Sequence, residues 1–239
     1  MIISSYNQKK RLKFCLQSIQ KQQLDFEWEV ILADDNSTDG TLEMVEADFP
    51  FVTISQNAKS EKGVYTLADN WNTAASKATG NRLVFSNADL IYSKYFLAAH
   101  MDPIMQDCII FGPGYSSKPE TDKFINSEDT VDKLVAKLEN NNLIGRDRHA
   151  EGSADTYNKE WAWNFPFGYN FSVIREQFVG VDGFPSYKKW GAEETHMCKK
   201  IVSKYGTKVK SNKYAYAIHL WHPVVNHENI LTRQDEIRF

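Results

Sequence analysis

Apolar and polar positions along the first hundred residues form short apolar runs that alternate with amphipathic stretches. Ile2-Ile3 reads as a brief strand closed by the polar turn Ser4-Ser5-Tyr6-Asn7. Leu12, Cys15, Leu16 and Ile19 then recur at helical spacing. Residues 30–33 form an apolar run with β-branched members, a buried strand, and Leu42, Met44 and Val45 mark the helix after it. Residues 51–55 predict a third strand, residues 64–78 a helix stopped by Thr79-Gly80-Asn81, and residues 82–86 a fourth strand. Strands alternating with helices in this way imply βαβ units, a mostly parallel sheet and an α/β fold.

The second half is less regular. Met197, Ile201 and Tyr205 form the apolar face of a helix that begins at Glu193-Glu194, and Tyr214-Ala-Tyr-Ala-Ile218 alternates weakly like a strand. Residues 115–160 are polar and irregular apart from a helix around residues 131–138. Such an insert suits a flexible lid or binding loop.

Two carboxylates, Asp34 and Asp35, stand at the carboxyl end of the second strand, ahead of the turn Asn36-Ser37-Thr38-Asp39-Gly40. Open α/β sheets bind ligands in the crevice outside the carboxyl ends of their strands. Acceptor-only carboxylates there suit ribose hydroxyls, base N–H groups or a metal. Asp39 or Thr38 alternatively caps the next helix. Capping does not account for both Asp34 and Asp35, whereas a nucleotide-binding crevice does.

Composition narrows the field. A chain of 239 residues buries one sizeable core, and no Pro/Gly/Ser-rich linker divides it, so a single domain over residues 1–239 is expected. A formal charge of −3 argues against a nucleic-acid surface. No apolar run approaches a membrane span, no signal peptide is visible, and Cys15, Cys108 and Cys198 are dispersed without CxxC spacing. A cytoplasmic protein with reduced core thiols follows as the expectation.

Ser5-Tyr6-Asn7, the helix with Cys15-Leu16 and Ser18-Ile19, and the run from Glu29 to Thr41 together resemble the start of family 2 glycosyltransferases. The resemblance continues through Ala68-Asp69-Asn70, Ala78-x-Gly80, Phe85-Ser-Asn-Ala-Asp89 and Trp190-Gly-Ala-Glu-Glu194, and so reaches from the first strand to about residue 223. Each motif alone is weak; their order and spacing together are specific. The resemblance implies a GT-A fold, a Rossmann-like sheet flanked by helices, with residues 1–100 as the nucleotide-binding half and 101–239 as the acceptor-binding half. It also implies a UDP-sugar donor and a saccharide or glycoconjugate acceptor, as in polysaccharide biosynthesis. Ser4, Tyr6, Asn7, Asp34 and Asp35 would line the nucleotide pocket.

In that family the position of Asn87-Ala88-Asp89 usually carries Asp-x-Asp, which holds a divalent cation against the diphosphate. Mg²⁺ or Mn²⁺ with hard oxygen ligands neutralises the charge of a departing UDP. Asn87 brings no charge, so Asp89 is the expected metal ligand and Asn87 a ribose or outer contact. By itself Asn-x-Asp would read as turn chemistry. Several GT-A enzymes complete the metal site with a late His, which by resemblance makes His222 the ligand and His219 a second one. The competing reading packs His219 on the sheet and leaves His222 to order its loop. With His227 a zinc hydrolase is conceivable, but no HExxH helix accompanies the three.

Residues 161–172 and 179–184, with Trp190, resemble the acceptor half of chondroitin-polymerase-like and galactosyltransferase-like enzymes. Sugars offer apolar CH faces and dense hydroxyls, so Trp163, Phe167 and Trp190 suit stacking platforms, and Gly168 close approach to the donor sugar. Phe165, Phe171 and Phe184 are assigned to the core. At Glu193-Glu194 the resembled families carry Glu-Asp, whose second acid deprotonates the acceptor. Glu194 is then the general base, a role that a neighbouring carboxylate favours by raising the pKa, and Glu193 a partner for acceptor or donor hydroxyls; Glu in place of Asp lengthens the arm by one methylene, so the two roles could be exchanged. Acids at a helix start are otherwise ordinary dipole partners worth roughly 0.3–1 kcal/mol. The expected reaction is an inverting, metal-dependent transfer. A degenerate domain that binds nucleotide or glycan without catalysis is the alternative, marked by Asn87. A nucleotidyltransferase lacks its glycine- and basic-rich phosphate loop here.

Overall fold

The computed structural model describes residues 1–56, 67–146, 169–187 and 192–223. In chain order its elements begin β1 (Ile2–Ser5), α1 (Lys9–Gln20), β2 (Val30–Asp34), α2 (Thr41–Asp48), β3 (Val52–Gln56), α3 (Leu67–Lys77) and β4 (Arg82–Asn87). These follow the predicted alternation, with boundaries moved by one residue at most strands. β5 (Leu90–Tyr92), α4 (Phe96–His100), a 3₁₀ turn, β6 (Cys108–Phe111) and β7 (Gly114–Ser117) come next. The chain continues through α5 (Thr121–Ser127), α6 (Val131–Asn140), β8 (Ile144–Arg146), β9 (Asn170–Ile174), α7 (Arg175–Gly180), α8 (Glu193–Tyr205), β10 (Lys208–Ser211) and β11 (Ala217–His219).

Among the described residues, seven strands form the central sheet in the order β10-β6-β9-β4-β1-β2-β3. Every pairing is parallel except the two made by β9. Register sets Ser5 level with Asp34 and Ser4 level with Asn87, so the polar residues ending β1, β2 and β4 meet at one edge. β9 was hidden in the sequence inside the aromatic run of residues 161–172. Its Phe171 is fully buried and stacks on Phe85, 5.4 Å between centroids, so the assignment of Phe171 and Phe184 to the core holds.

Residues 115–146 differ from the irregular segment expected. β7 and β8 join β5 and β11 in a second, four-stranded sheet. Ile125, Val131, Leu134, Leu138 and Leu143 pack with Phe14 of α1 and with Ile91, Ile218 and Leu220 in one buried cluster. Only α6 was legible, because its apolar positions repeat helically; β7 is Gly-Tyr-Ser-Ser and β8 has three residues, too short and polar to announce strands. Tyr205, expected on the apolar face of α8, is 42% exposed, while Met197 and Ile201 are fully buried.

The turn after α7 carries positive φ at Asp182 (63°) and Gly183 (68°), and the Asn72 side chain of α3 clasps it. Asn72 Nδ2 donates to the Phe184 carbonyl at 2.8 Å, and the Phe184 N–H donates to Asn72 Oδ1 at 2.9 Å. A Cβ on Gly183 would lie 2.4 Å from Asn72 Oδ1. Gly183→Ala is therefore expected to lower unfolding stability by about 1–3 kcal/mol in a urea titration, through backbone strain and the loss of that clasp.

Candidate active site

The loops leaving β1 and β2 are interlocked. Asp34, fully buried, accepts the Ser37 N–H at both carboxylate oxygens, at 3.0 and 3.1 Å. Asn7 Oδ1 accepts from the Thr38 N–H at 2.7 Å, and the Asn7 N–H donates to Ser37 Oγ at 2.9 Å. Asn7 and Asn36 both hold left-handed backbone, with φ of 51° and 61°, which Asn tolerates better than most residues. Asp39 accepts the Lys9 N–H at the start of α1 and the Thr41 N–H at the start of α2. It thus joins two helix starts from the position before the cap, which is Gly40.

This separates the paired carboxylates. Burial pushes the Asp34 carboxyl up while its Ser37 hydrogen bonds oppose the rise, and its oxygens already serve the turn. Asp35 is half-buried at the same edge, and exposed Tyr6 stands on the neighbouring loop. Ser4 Oγ donates to Asn87 Oδ1 at 2.7 Å, stapling β1 to β4. The amide oxygen of Asn87 is engaged there.

β4 passes into β5 through Ala88 and Asp89, and β11 runs antiparallel to β5 with His219 level with Leu90. This pairing delivers the late histidines to Asp89. His219 Nε2 and His222 Nε2 each lie 3.3 Å from Asp89 Oδ2. The three ligand atoms fall within 4.8 Å of one another. Leu220 N–H donates to the Asp89 carbonyl at 2.8 Å, and the Tyr169 ring stacks on His219 with centroids 6.0 Å apart. Burial alone would push the Asp89 carboxyl up, but hydrogen bonds and charge from the two imidazoles outweigh it and hold the carboxyl well below the usual range. The same hydrogen bond to Asp89 raises the pKa of His222.

The donor set fits a divalent cation. His222 Nδ1 lies 3.0 Å from the Pro223 carbonyl, which can only accept, so Nδ1 carries the proton of the neutral ring. Its Nε2 meets Asp89 Oδ2 either as the N–H of an imidazolium or, in the neutral ring, as a lone pair that a cation can bridge to the carboxylate. Asp89 Oδ1 is buried and has no hydrogen-bond partner among the described residues. A carboxylate with two imidazoles suits Mn²⁺ or a similar ion. Sequence reasoning ranked His222 above His219, whereas the two nitrogens are equidistant from Asp89 Oδ2.

Cys15 packs behind this turn, its Sγ 3.5 Å from the Tyr92 hydroxyl. Burial pushes its thiol up to about 12, so it is neither nucleophile nor ligand at neutral pH. Glu193 and Glu194 open α8 as expected. Because α8 leads through Gly206 directly into β10, which runs parallel to β6, its first turn lies toward the carboxyl edge of the sheet. Glu193 is 1% exposed; burial first, then its charge, raises the Tyr187 hydroxyl pKa. Glu194 is half-buried, and after burial its charge further raises that of Cys198, one turn along the helix. Tyr187 and His196 share a short hydrogen bond that no sequence motif announced. Gly168, Trp163, Phe165, Phe167, Trp190 and His227 lie outside the described residues.

A largely parallel sheet with one antiparallel strand, a small second sheet and polar loops gathered at the carboxyl edge is the GT-A arrangement of glycosyltransferases. The chain belongs to glycosyl transferase family 2, whose family model matches residues 1–178, and is a glycosyltransferase domain. It is 40% identical over 104 residues to the uncharacterized glycosyltransferase YfnE of Bacillus subtilis, covering 42% of this chain and 25% of that one. It is 38% identical over 89 residues to the SPbeta prophage-derived glycosyltransferase SunS of the same organism, covering 37% and 19%. The matched segments are thus about a quarter or less of those relatives' length. Among solved structures, S. aureus TarS residues 1–349 in complex with UDP-GlcNAc superposes with a TM-score of 0.65 at 19% identity, covering 94% of this chain and 58% of that one. GalNAc-T7 with UDP, GalNAc and Mn²⁺ gives 0.66 at 17% identity, covering 92% and 43%. The mannosyltransferase PcManGT from Pyrobaculum calidifontis, in complex with GDP-Man and Mn²⁺, gives 0.57 at 20%, covering 91% and 55%. At these identities the structural likeness speaks for the fold.

Proposed function

We propose that this domain transfers a sugar from a UDP-sugar to a hydroxyl of a saccharide or glycoconjugate acceptor, with inversion and with Mn²⁺ or Mg²⁺. The observation that carries the reading is the convergence of Asp89, His219 and His222 on one point at the end of β4. Complexes of similar folds with UDP-GlcNAc and with UDP and Mn²⁺ support the donor class and the ion.

In this reading Asp35 and the Asn7–Ser37 loop pair bind uracil and ribose, with Ser4, Tyr6, Asp34 and the Asn87 amide shaping the pocket. Asp89, His219 and His222 would hold the cation, which when bound would neutralise the developing charge of the leaving diphosphate. Glu194 accepts the proton of the acceptor hydroxyl. The freed oxygen attacks the anomeric carbon opposite the diphosphate, the bond from that carbon to the β-phosphate oxygen breaks, and UDP departs. Glu193 binds acceptor hydroxyls. Free, buried Cys15, Cys108 and Cys198 support a reducing, cytoplasmic setting, and no helix among the described residues is long and apolar enough to cross a membrane.

The engagement of Asn87 Oδ1 by Ser4 favours a second reading, a domain that binds nucleotide without turnover. Incubation with UDP-glucose, UDP-GlcNAc and UDP-galactose plus Mn²⁺, following UDP release, separates the two. Release above the uncatalysed background, abolished by EDTA, is expected; binding without release would establish the second reading. UDP with Mn²⁺ is also expected to raise thermal stability, by about 2.7 kcal/mol at a 100-fold excess over Kd, and UDP with EDTA by less.

A further inference from the structure

The two histidines sit on a segment whose backbone is held from three directions, one of them a residue with no place in the motif pattern. Leu220 donates its N–H to the Asp89 carbonyl at 2.8 Å, and Trp221 donates its N–H to Ser117 Oγ of β7 at 2.8 Å. The Trp221 carbonyl accepts twice from the Arg11 guanidinium of α1, from Nη2 at 2.9 Å and Nε at 3.3 Å. Arg11 Nη2 also pairs with Asp122 Oδ1 of α5 at 2.5 Å, with the Arg11 side chain 18% exposed. Trp221 directly precedes His222 and lies one residue beyond Leu220, which follows His219, so the clamp falls between the two imidazoles.

Asp122 is itself seated by a wider junction. Gln17 of α1 donates to the Asp129 carbonyl at 3.0 Å and accepts the Val131 N–H at 2.7 Å, while Lys10 pairs with Asn126 and Lys21 with Asp132. α1 therefore fixes α5 and α6, and Asp122 of that unit fixes the guanidinium that reaches the histidine segment.

We propose that Arg11 is a positioning residue for the divalent-cation site, and that the α5–α6 unit acts through it to hold His219 and His222 against Asp89. The proposal rests on the cation reading of that cluster. A planar guanidinium with a forked donor set can grip one carbonyl twice and a carboxylate at once. A lysine ammonium in its place is a point charge that cannot reproduce the fork. Partners that orient ligands from outside the coordination sphere are commonly worth 10–100-fold in metal affinity.

The test compares wild type, Arg11→Gln, Arg11→Lys and Asp122→Asn by two measurements: hydrogen exchange of the peptide covering residues 217–223, and Mn²⁺ affinity by electron paramagnetic resonance with UDP present. Arg11→Gln is expected to speed exchange at Leu220 and Trp221 and to raise the Mn²⁺ Kd by about 10-fold or more. Arg11→Lys should recover part of both, and Asp122→Asn should show a smaller defect in the same direction. Unchanged exchange in Arg11→Gln would overturn the clamp. Faster exchange with unchanged Mn²⁺ affinity would overturn the positioning role and leave Arg11 structural only. Absence of Mn²⁺ binding by wild type would contradict the cation reading itself, and the exchange data alone would then decide whether the clamp exists.

Discussion

Glu194→Gln is expected to lower turnover by on the order of 10²–10⁴-fold while leaving UDP-sugar affinity near that of the wild type. The amide keeps the size of the side chain and much of its hydrogen bonding, but it cannot take a proton from the acceptor at neutral pH. Because the missing interaction belongs to the transition state, the loss should fall on kcat rather than on donor KM. Glu193→Gln is the matched control. Glu193 is 1% exposed beside Tyr187, so its replacement should disturb acceptor binding and stability more than proton transfer. A larger kcat defect in Glu193→Gln would move the base role to Glu193. Near-normal rates in both variants would leave the pair as partners of the α8 dipole.

The second large effect concerns the cation. His222→Ala and His219→Ala should each weaken Mn²⁺-dependent UDP binding by more than the roughly 10–100-fold typical of outer-shell losses, since each removes a direct ligand. The two variants should be similar, because both Nε2 atoms lie 3.3 Å from Asp89 Oδ2. A defect confined to His222→Ala would restore the order expected from the sequence, with His219 a stacking partner of Tyr169. UDP affinity unaffected by either change would remove the imidazoles from the site.

Elements with a strong repeat were legible from the sequence. Leu12, Cys15, Leu16 and Ile19 gave α1 its face, residues 30–33 announced β2, and the parallel sheet followed from their alternation. Asp89 and the late histidines were also legible as separate motifs. Their meeting was not visible from spacing alone, because it depends on the antiparallel pairing of β5 with a three-residue β11. The difference between Asp34 and Asp35 was hidden for a similar reason. Adjacent in sequence, they diverge because β2 buries one side chain under the Ser37 turn and leaves its neighbour at the rim. β9 was masked by an aromatic run whose Phe171 serves the core. Arg11 carried no signal, since a charged residue on an amphipathic helix ordinarily faces solvent. Only the return of the chain at Trp221 gives it a role.

In the proposed site, nucleotide binding is completed by a cation held at Asp89, His219 and His222. Titration calorimetry of UDP into the protein, once with Mn²⁺ and once with EDTA, tests it most directly. Saturable binding with Mn²⁺ that weakens in EDTA by at least as much as in His219→Ala or His222→Ala is the predicted result, with the difference largely lost in Asp89→Asn. Equal affinity in both conditions, or no UDP binding in either, would contradict the account.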